Sequence, residues 1–547
     1  MQGKRNIQRL LHIIAMMLFV SCSSEQDPVS LMPYLYVDDA CSITRTSASV
    51  SGKVDTEGRG EVTSLCFRYG TTTAMQSTTQ NLIANPALTA EPRKDAVTAE
   101  LMGLIPSTTY YYCLEGSNGR STARSETRTF ITCPNEKPTL SECQISGYGP
   151  KSVILTFRII DDGGEPLTAY GCYLNDERVE SQTIAPDGKV KMRVSGLASY
   201  TDYQLSAFAT NRLGESRTAS ISFSTTDAVM LSTPGDLQTL IGDDRYTYDA
   251  ISLSGSLNGD DIRLLRDMMG SDIYGNSTSG RLRSINLVDA RIVAGGGSYA
   301  YSRFTQYDVI SYGMFADCKA ITDVKLPETA LTIEKEAFRD CHALRSILIP
   351  SSVISVTPSS GCTSLQQIDV VGTNSMYQSV NGVLLNTDAT SIVWFPMGKT
   401  GDYTLPSTIR DIGPYAFRSC SVTRFVIPEG ITAIGMGAFM DSAVEEVGLP
   451  STLRAIPTSA FQHCSKLKVV RLGGNTELLS DYVFDGCPLT DIYISAPLPP
   501  VCSQNTFAGC ADVFNQCRLH VPSSSIALYR NAKVWSSFYK IDAYDNK

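Results

Sequence analysis

A phenylalanine recurs at a near-constant interval through the C-terminal half of this chain. From Phe417 to Phe507 the interval is always 22 or 23 residues, and the same interval separates Phe315 from Phe338. A repeat of that length is typical of a solenoid, in which short coils stack on one another, and not of a closed globular core. The full series is Phe315, Phe338, Phe417, Phe439, Phe461, Phe484 and Phe507.

Each repeat has a turn half and a strand half. In the copy that ends at Pro450, Val447 and Leu449 are two residues apart, so their side chains share one face of a strand. Pro450 has no N–H to donate to a neighbouring strand, which ends the strand there. The Ala-Phe-x-x-Cys half predicts a tight turn that points Phe and Cys inward. One unit cannot bury its own apolar side, so stacked units must form the core together.

The Cys position of the repeat is interpreted as a buried, packed thiol. Ser442 replaces Cys in one unit without any change in the pattern around it. Zinc sites use Cys pairs two to four residues apart, and the repeats contain no such pair. The sequence therefore predicts no metal site and no cofactor. The position is occupied by Cys318, Cys341, Cys362, Cys420, Cys464, Cys487 and Cys510.

The repeat string A-F-x-x-C-x-x-L-x-x-I-x-[L/I]-P resembles the BspA-like leucine-rich repeats of bacterial surface proteins. The resemblance covers residues 230–547, with N- and C-terminal caps around the repeats. It implies surface display and adhesion or ligand binding, and the family offers no catalytic residues to carry over. The pattern lapses between Cys362 and Phe417, where Phe is missing from the first unit. There Asn381-Gly382 predicts a β-hairpin, and Ile392 to Phe395 predict a further strand.

The first 30 residues predict export and lipid attachment. A basic start, Lys4 to Arg9, precedes an apolar stretch that is too short to cross a bilayer. The stretch ends in Phe19-Val-Ser-Cys22, which resembles a bacterial lipobox. We therefore expect a signal peptide over residues 1–21, a lipid on Cys22 and a lipidated tether over residues 22–30. The resemblance to Bacteroidetes lipoproteins implies an outer-membrane protein at the cell surface, with the periplasmic face as the alternative.

Two modules, residues 31–133 and 136–226, lie between the tether and the repeats. The first alternates apolar and polar residues, which is typical of half-buried strands. The segments from Leu104 to Tyr112 and from Leu197 to Asn211 resemble the corner of fibronectin type III domains, where a Tyr hydroxyl can hydrogen-bond back across the turn. The expected fold is therefore mostly β, with two fibronectin type III-like β-sandwiches followed by a leucine-rich-repeat solenoid. We interpret the modules as spacers, with ligand binding as the alternative. The pairing of five further cysteines stays open: Cys41, Cys66, Cys113, Cys143 and Cys172.

Charge and motifs argue against several kinds of function. The net charge of −9 and the pI of about 5.2 argue against a nucleic-acid partner, which would require a basic surface. The sequence has no serine-hydrolase, phosphate-binding or metalloprotease motif with the required spacing. We therefore expect no enzyme and no catalytic residues. The least favoured alternative is a carbohydrate-active enzyme, whose carboxylates would have to converge from different coils.

The outward positions of the repeat strands form the predicted binding face. The residue between the last two apolar positions of each strand points away from the core, and an extended solenoid sheet is a common binding surface. We expect adhesion to a macromolecular ligand, which is a host protein, another cell or a glycan. The alternative is an envelope scaffold or accessory glycan-binding lipoprotein. The candidate residues are Lys325, Leu348, Asp369, Val426, Arg471 and Tyr493, with Gly448 at the same position of one repeat.

Overall fold

A computed structural model describes residues 32–56, 62–80, 82, 94–400 and 403–545. The predicted signal peptide, Cys22 and the tether lie outside these residues. Across the described ranges, no helix combines the length and the apolar character that a bilayer span requires. The described residues divide into two compact units, one within residues 32–141 together with Arg158–Gly171 and Ala207–Thr218, and one of Glu142–Phe157, Cys172–Ser206 and the described residues from 219 to 545.

Residues 34–131 form a β-sandwich. In its second strand Ala48 and Val50 are buried while their neighbours are partly exposed, which is the predicted alternation. The two sheets enclose one core that contains Phe67 and Tyr112. One sheet consists of Tyr34–Val37, Ser47–Asp55 and Lys94–Met102, and the other of Ser64–Gly70, Ser77–Thr78, Thr109–Ser117, Thr122–Arg124 and Arg128–Ile131.

One tyrosine at each predicted corner makes the expected hydrogen bond. The amide N–H of Ile105 donates to the hydroxyl of Tyr110 over 2.9 Å. In the second module the amide N–H of Ala198 donates to the hydroxyl of Tyr203 over the same distance. Each bond spans five residues and fixes the turn that precedes a long strand. These two contacts are confirmed, while the assignment of both modules to the fibronectin type III class stays a prediction.

The β structure continues from residue 139 to residue 231. The strand Ala228–Leu231 pairs antiparallel with Gln144–Tyr148 and parallel with Ala250–Leu257, so it joins this segment to the repeats. The other strands of the segment are Thr139–Leu140, Ser152–Asp161, Leu167–Leu174, Glu177–Glu180, Lys189–Ser195, Asp202–Asn211, Gly214–Arg217 and Ile221–Ser224.

The repeats place one parallel strand per coil in two separate sheets. In each strand the predicted apolar residues are buried, as Val324, Ile347 and Ile368 illustrate at matching positions of three neighbouring strands. We name the sheets by their order in the chain. The N-sheet contains Ala250–Leu257, Ser284–Asn286, Asp323–Lys325, Ser346–Ile349 and Gln367–Val370, and the C-sheet contains Arg424–Val426, Glu446–Gly448, Val469–Leu472, Asp491–Ile494, Arg518–Val521 and Lys540–Ala543.

Short strands and a few helices complete the array. Two-residue strands also recur along the array, and they pair in parallel between neighbouring coils within three groups. The groups are Val309–Ile310, Thr332–Ile333 and Ser355–Val356; Asp411–Ile412 and Ala433–Ile434; and Ala455–Ile456, Leu478–Leu479 and Val501–Cys502. Ala290–Ile292 adds a strand beside Ala250–Leu257. In the described residues the α-helices are Leu237–Ile241, Gly259–Met268, Val513–Gln516 and Ile526–Asn531, and the 3₁₀ helices are Gly242–Thr247, Ser523–Ser525 and Trp535–Ser537.

A hairpin interrupts the array where the repeat pattern lapses. The strands Tyr377–Val380 and Val383–Asn386 pair antiparallel around Asn381 and Gly382. Both turn residues have positive φ, 53° and 77°, as a two-residue type I′ turn requires. The strand Ser391–Trp394 follows, so both secondary-structure predictions for this segment are confirmed. We call Tyr377–Asn386 the insertion hairpin.

The recurring phenylalanines stack in a column inside the array. Phe417 and Phe439 lie 5.0 Å apart, and Phe439 and Phe461 lie 5.1 Å apart, with ring planes within 9° of parallel. Phe395 extends the column at 4.8 Å from Phe417. The sequence analysis assigned Phe395 only to a strand, although it stands 22 residues before Phe417. The unit before it does lack Phe, because the buried Ser359 occupies that position.

Six of the seven repeat thiols are buried, Cys510 is half-buried, and five of the seven donate a hydrogen bond to the previous coil. The thiol of Cys341 donates to the carbonyl of Phe315 over 3.1 Å, and that of Cys464 donates to the carbonyl of Phe439 over 3.0 Å. These five thiols tie their coils to the previous ones, which agrees with the packing interpretation and adds a polar role to it. All cysteines of the described residues are free thiols.

Candidate ligand-binding face

Three of the predicted face residues lie side by side on the N-sheet. Lys325 is opposite Leu348, and Leu348 is opposite Asp369, in parallel register. Asn286 extends the row by one strand on the other side of Lys325. Lys325 is exposed, and Leu348 and Asp369 are half-buried, so this row lies on the outside of the sheet.

The remaining candidates lie in one row of the C-sheet. Val426, Gly448, Arg471 and Tyr493 are consecutive partners in parallel register. The side chain of Val426 is 80% exposed. A Cβ atom added to Gly448 would meet no other atom within 4 Å, which leaves a shallow step between Val426 and Arg471.

The predicted row is not continuous from one sheet to the other. Asp369 belongs to the last strand of the N-sheet and Val426 to the first strand of the C-sheet, and these two strands do not pair. The insertion hairpin occupies the edge instead, because the amide of Ile368 donates to the carbonyl of Gly382 over 2.9 Å. The expectation of one ladder down the whole array is therefore wrong, and two shorter rows replace it.

Aromatic and cationic side chains stack along the second half of the C-sheet row. The guanidinium of Arg471 lies 4.2 Å from the ring centroid of Tyr493. The ring of Tyr493 in turn stacks on His520 at 4.2 Å, with ring planes 7° from parallel. Tyr544 approaches the Tyr493 ring edge-on at 4.9 Å. We call Arg471, Tyr493, His520 and Tyr544 the stacked cluster.

Carboxylates beside the stacked cluster balance its positive charge. Glu446 accepts a hydrogen bond from Arg471 over 3.1 Å. Asp491 lies 2.9 Å from Nε2 of His520. Burial alone would raise the pKa of the Asp491 carboxyl, but hydrogen bonds from His520 and Thr490 outweigh burial and lower that pKa. The cluster therefore presents flat aromatic rings and the edge of a guanidinium group, and its surface has no strong positive or negative electrostatic potential.

His520 is part of this face although it was not among the predicted residues, and the sequence does carry a signal for it. His520 stands between Leu519 and Val521, with Pro522 next, which is the same strand pattern as in the repeats. It lies in the strand Arg518–Val521 and is opposite Tyr493.

Within the ranges described above, no cluster of three or more His, Cys, Asp or Glu is arranged to hold a metal ion. The acidic turn near residue 161 is tied to cationic side chains, since Arg45 pairs with Asp161 and Arg212 pairs with Glu165. These contacts give the turn a structural role.

The repeat region matches a known protein family. Residues 304–396 and 392–513 match six copies of the BspA type leucine rich repeat region. The parallel register, the phenylalanine column and this match agree with one another. The repeats adopt a BspA-like leucine-rich repeat fold. No curated protein sequence matches the chain significantly.

Several solved structures resemble the chain in part. The pneumococcal vaccine antigen PcpA aligns at 19% identity with a TM-score of 0.36, over 55% of this chain and 80% of that chain. A leucine-rich repeat protein from Eubacterium ventriosum aligns at 15% identity with a TM-score of 0.33, over 56% and 93%. A leucine rich cell surface protein from Faecalibacterium prausnitzii aligns at 16% identity with a TM-score of 0.32, over 62% and 94%. The assignment of the BspA-like repeats depends on the family match and the repeat geometry, because these likenesses are distant.

Proposed function

We propose that this protein is a non-enzymatic, lipid-anchored surface protein that binds a macromolecular ligand through the outward face of the C-sheet. The observation that carries the proposal is the stacked cluster. Arg and Tyr are the residue types that most often dominate binding energy at protein interfaces. Here the stacking of Arg471 on Tyr493, and of Tyr493 on His520, holds these side chains in place before any ligand arrives. A preorganised side chain loses less conformational entropy on binding.

The shape of the row favours a large ligand over a small one. Val426 projects from the sheet, Gly448 leaves a step, and Arg471 forms the next wall. A small molecule would touch few of these side chains at once, because parallel strands are about 4.8 Å apart. A protein or an extended polysaccharide would cover several strands. This arrangement supports adhesion to a host protein, another cell or a glycan, without an enzymatic step.

Membrane attachment is proposed from the sequence alone. The basic start, the apolar stretch and the lipobox-like segment that ends at Cys22 support a lipid anchor. Two or more acyl chains would hold the protein stably on a membrane. The β-rich modules would then act as spacers between the anchor and the repeats. We propose the cell surface over the periplasmic face of the outer membrane.

The binding proposal is tested with Arg471→Ala combined with Tyr493→Ala. The wild-type chain is first assayed on arrays of extracellular-matrix proteins, host-cell extracts and glycans. We expect the double variant to lose at least about tenfold in affinity for the ligand found, because hot-spot side chains contribute about 2 kcal/mol or more. The matched control is Arg454→Ala, an exposed arginine that pairs with Glu477 in the same array but outside the row. An unchanged affinity in the double variant would contradict the proposed face.

The location is tested separately on intact cells. We expect protease added outside the cells to remove the repeats, and Cys22→Ala to release the protein from the membrane fraction. A chain that is membrane-bound but fully protected from protease would support the alternative, an envelope scaffold that faces the periplasm.

A further inference from the structure

A hollow of about 840 Å³ opens where the insertion hairpin meets the end of the N-sheet. Its volume lies in the range typical of small-molecule sites. Gln367 and Asp369, on the outward face of the last N-sheet strand, line one wall. The hairpin lines the opposite wall, and Gly372 and Lys399 complete the rim.

The walls of this hollow are held in place by hydrogen bonds. The hydroxyl of Ser379 donates to the carbonyl of Ile368 over 2.7 Å, and the amide of Ile368 donates to Gly382. The ammonium of Lys399 donates to the carbonyl of Asn381 over 2.9 Å. The hairpin is thus fixed to the sheet from both sides of its turn. The site is formed without any ligand.

The lining is rich in side-chain amides. Gln366, Gln367, Gln378 and Asn381 all line the hollow, and the amides of Gln367 and Gln378 each donate one hydrogen bond or more within the protein. An amide offers two donors and one acceptor group in fixed directions, which suits hydroxyl groups that both donate and accept. The amides of Gln366 and Asn381 make no side-chain hydrogen bond within the described part of the chain. They are free to pair with a ligand.

Charge and polarity restrict the class of ligand further. Asp369 and Lys399 are the two charged residues of the lining, and their charges are opposite. The hollow therefore has no excess charge to favour a phosphate, a sulfate or a polycation. An apolar ligand would leave the amides buried without partners, which is unfavourable. A polyhydroxylated neutral ligand satisfies both conditions.

We propose that this hollow is a binding site for a short neutral oligosaccharide. The site lies at the interruption of the array, whereas the stacked cluster lies after it. It does not depend on the function proposed above, since it uses different residues and a different class of contact. The amides would pair with sugar hydroxyls, and Asp369 and Lys399 would fix the orientation of the sugar.

The test uses a matched pair of glycine variants in the full chain. Gly372 lines the hollow, and a Cβ atom placed there meets no other atom within 4 Å, so Gly372→Trp fills the site without strain at the point of attachment. Gly474 follows the strand Val469–Leu472 outside the C-sheet row, and a Cβ atom placed there makes only an ordinary 3.7 Å contact with the carbonyl of Ser495, which makes Gly474→Trp the control. The probes are maltotetraose, cellotetraose, mannotetraose, xylotetraose and galactotetraose, with tetragalacturonate as the charged comparison.

We expect at least one neutral tetrasaccharide to bind the wild-type chain with a dissociation constant below about 1 mM in calorimetric titration. Gly372→Trp should weaken that binding at least about fiftyfold, and Gly474→Trp should leave it within about twofold. Gln366→Ala combined with Gln367→Ala should weaken it about tenfold. The proposal is overturned if no neutral probe binds, if Gly372→Trp binds as the wild type does, or if tetragalacturonate binds more tightly than every neutral probe.

Discussion

The parts of the repeat array before and after the insertion hairpin are built differently. After it, Phe395, Phe417, Phe439, Phe461, Phe484 and Phe507 stack without a gap, and the column ends against Trp535 and Phe538. Before it, only Phe315 and Phe338 stack, and the next coil has Ser359 instead. The amide of Phe338 donates to the hydroxyl of Ser359 over 3.0 Å. A hydrogen bond thus replaces a ring contact where the column stops.

The two parts of the array also differ in which polar side chains they bury. In the described residues after Phe395 they are hydroxyls only, such as Ser442 and Thr506. Before Phe395 they include the charged side chains of Arg266 and Glu336. Within a regular column, contacts with the adjacent coils are enough to stabilise each coil, because each new coil repeats the contacts of the last one. The start and the interruption of a column lack that regularity, and specific polar contacts hold them instead.

The largest effect is expected from removing a ring in the middle of the column. Phe439 is buried between Phe417 and Phe461, and Phe425 packs on it edge-on at 5.1 Å. Phe439→Ala should lower the free energy of unfolding of the C-terminal part by about 3–5 kcal/mol, because it leaves a cavity as well as lost contacts. Hydrogen exchange should rise in the coils on both sides. Equal destabilisation of the part before the hairpin would contradict the idea that each coil is stabilised only by the coils next to it.

A slightly smaller effect is expected from Arg266 at the start of the array. This buried guanidinium donates to the carbonyls of Gly313, Met314 and Ala316 and to Asp272 and Ser271. Arg266→Met keeps the length of the side chain but leaves these carbonyls unpaired, so it should cost about 3 kcal/mol. The loss should be confined to the coils before the hairpin in hydrogen exchange. Arg263→Met, on the exposed face of the same helix, should change stability by less than about 0.5 kcal/mol.

The ion pair between Arg418 and Glu336 joins the two parts directly. Glu336 is buried, accepts from the amide and hydroxyl of Ser360, and pairs with Arg418, which is 82 residues later in the chain. Arg418→Gln should cost about 2 kcal/mol, since the carboxylate stays buried without its cation. The double variant with Glu336→Gln should recover part of that loss. Additive losses in urea unfolding would show that the pair does not couple the two parts.

The sequence predicted the regular part of the array better than its exceptions. The repeat spacing alone predicts which Phe, Cys and strand residues are buried, because equivalent residues of every coil make the same packing contacts. Phe395 and His520 also fit their local spacing, so both were accessible from the sequence. The contact of Arg418 with Glu336 could not be predicted from the sequence, and neither could the contacts of Arg266 with three carbonyls. Such contacts depend on how the coils are offset in space. The hollow beside the insertion hairpin belongs to the same class, because it arises from docking of the hairpin on the N-sheet.

The smallest effect is expected at the one unit of the column in which Ser replaces Cys. The hydroxyl of Ser442 lies 3.3 Å from the thiol of Cys464 and is buried. Ser442→Cys should change the free energy of unfolding by less than about 1 kcal/mol, because it extends the series of thiols that donate to the previous coil. Ser442→Val, which has no donor, should cost about 1 kcal/mol more.

Ser442→Cys also gives a chemical test of how tightly the coils pack around the thiol position. Burial raises the pKa of Cys362 and of Cys420 to about 12, so the reactive thiolate is scarce at pH 8 in the folded protein. The exposed Cys41 and Cys133 should react with iodoacetamide first, and the thiol introduced by Ser442→Cys should react only after unfolding in urea. Rapid modification of that thiol in the native protein would mean that the coils around the Phe439 ring open far more readily than a continuous column allows.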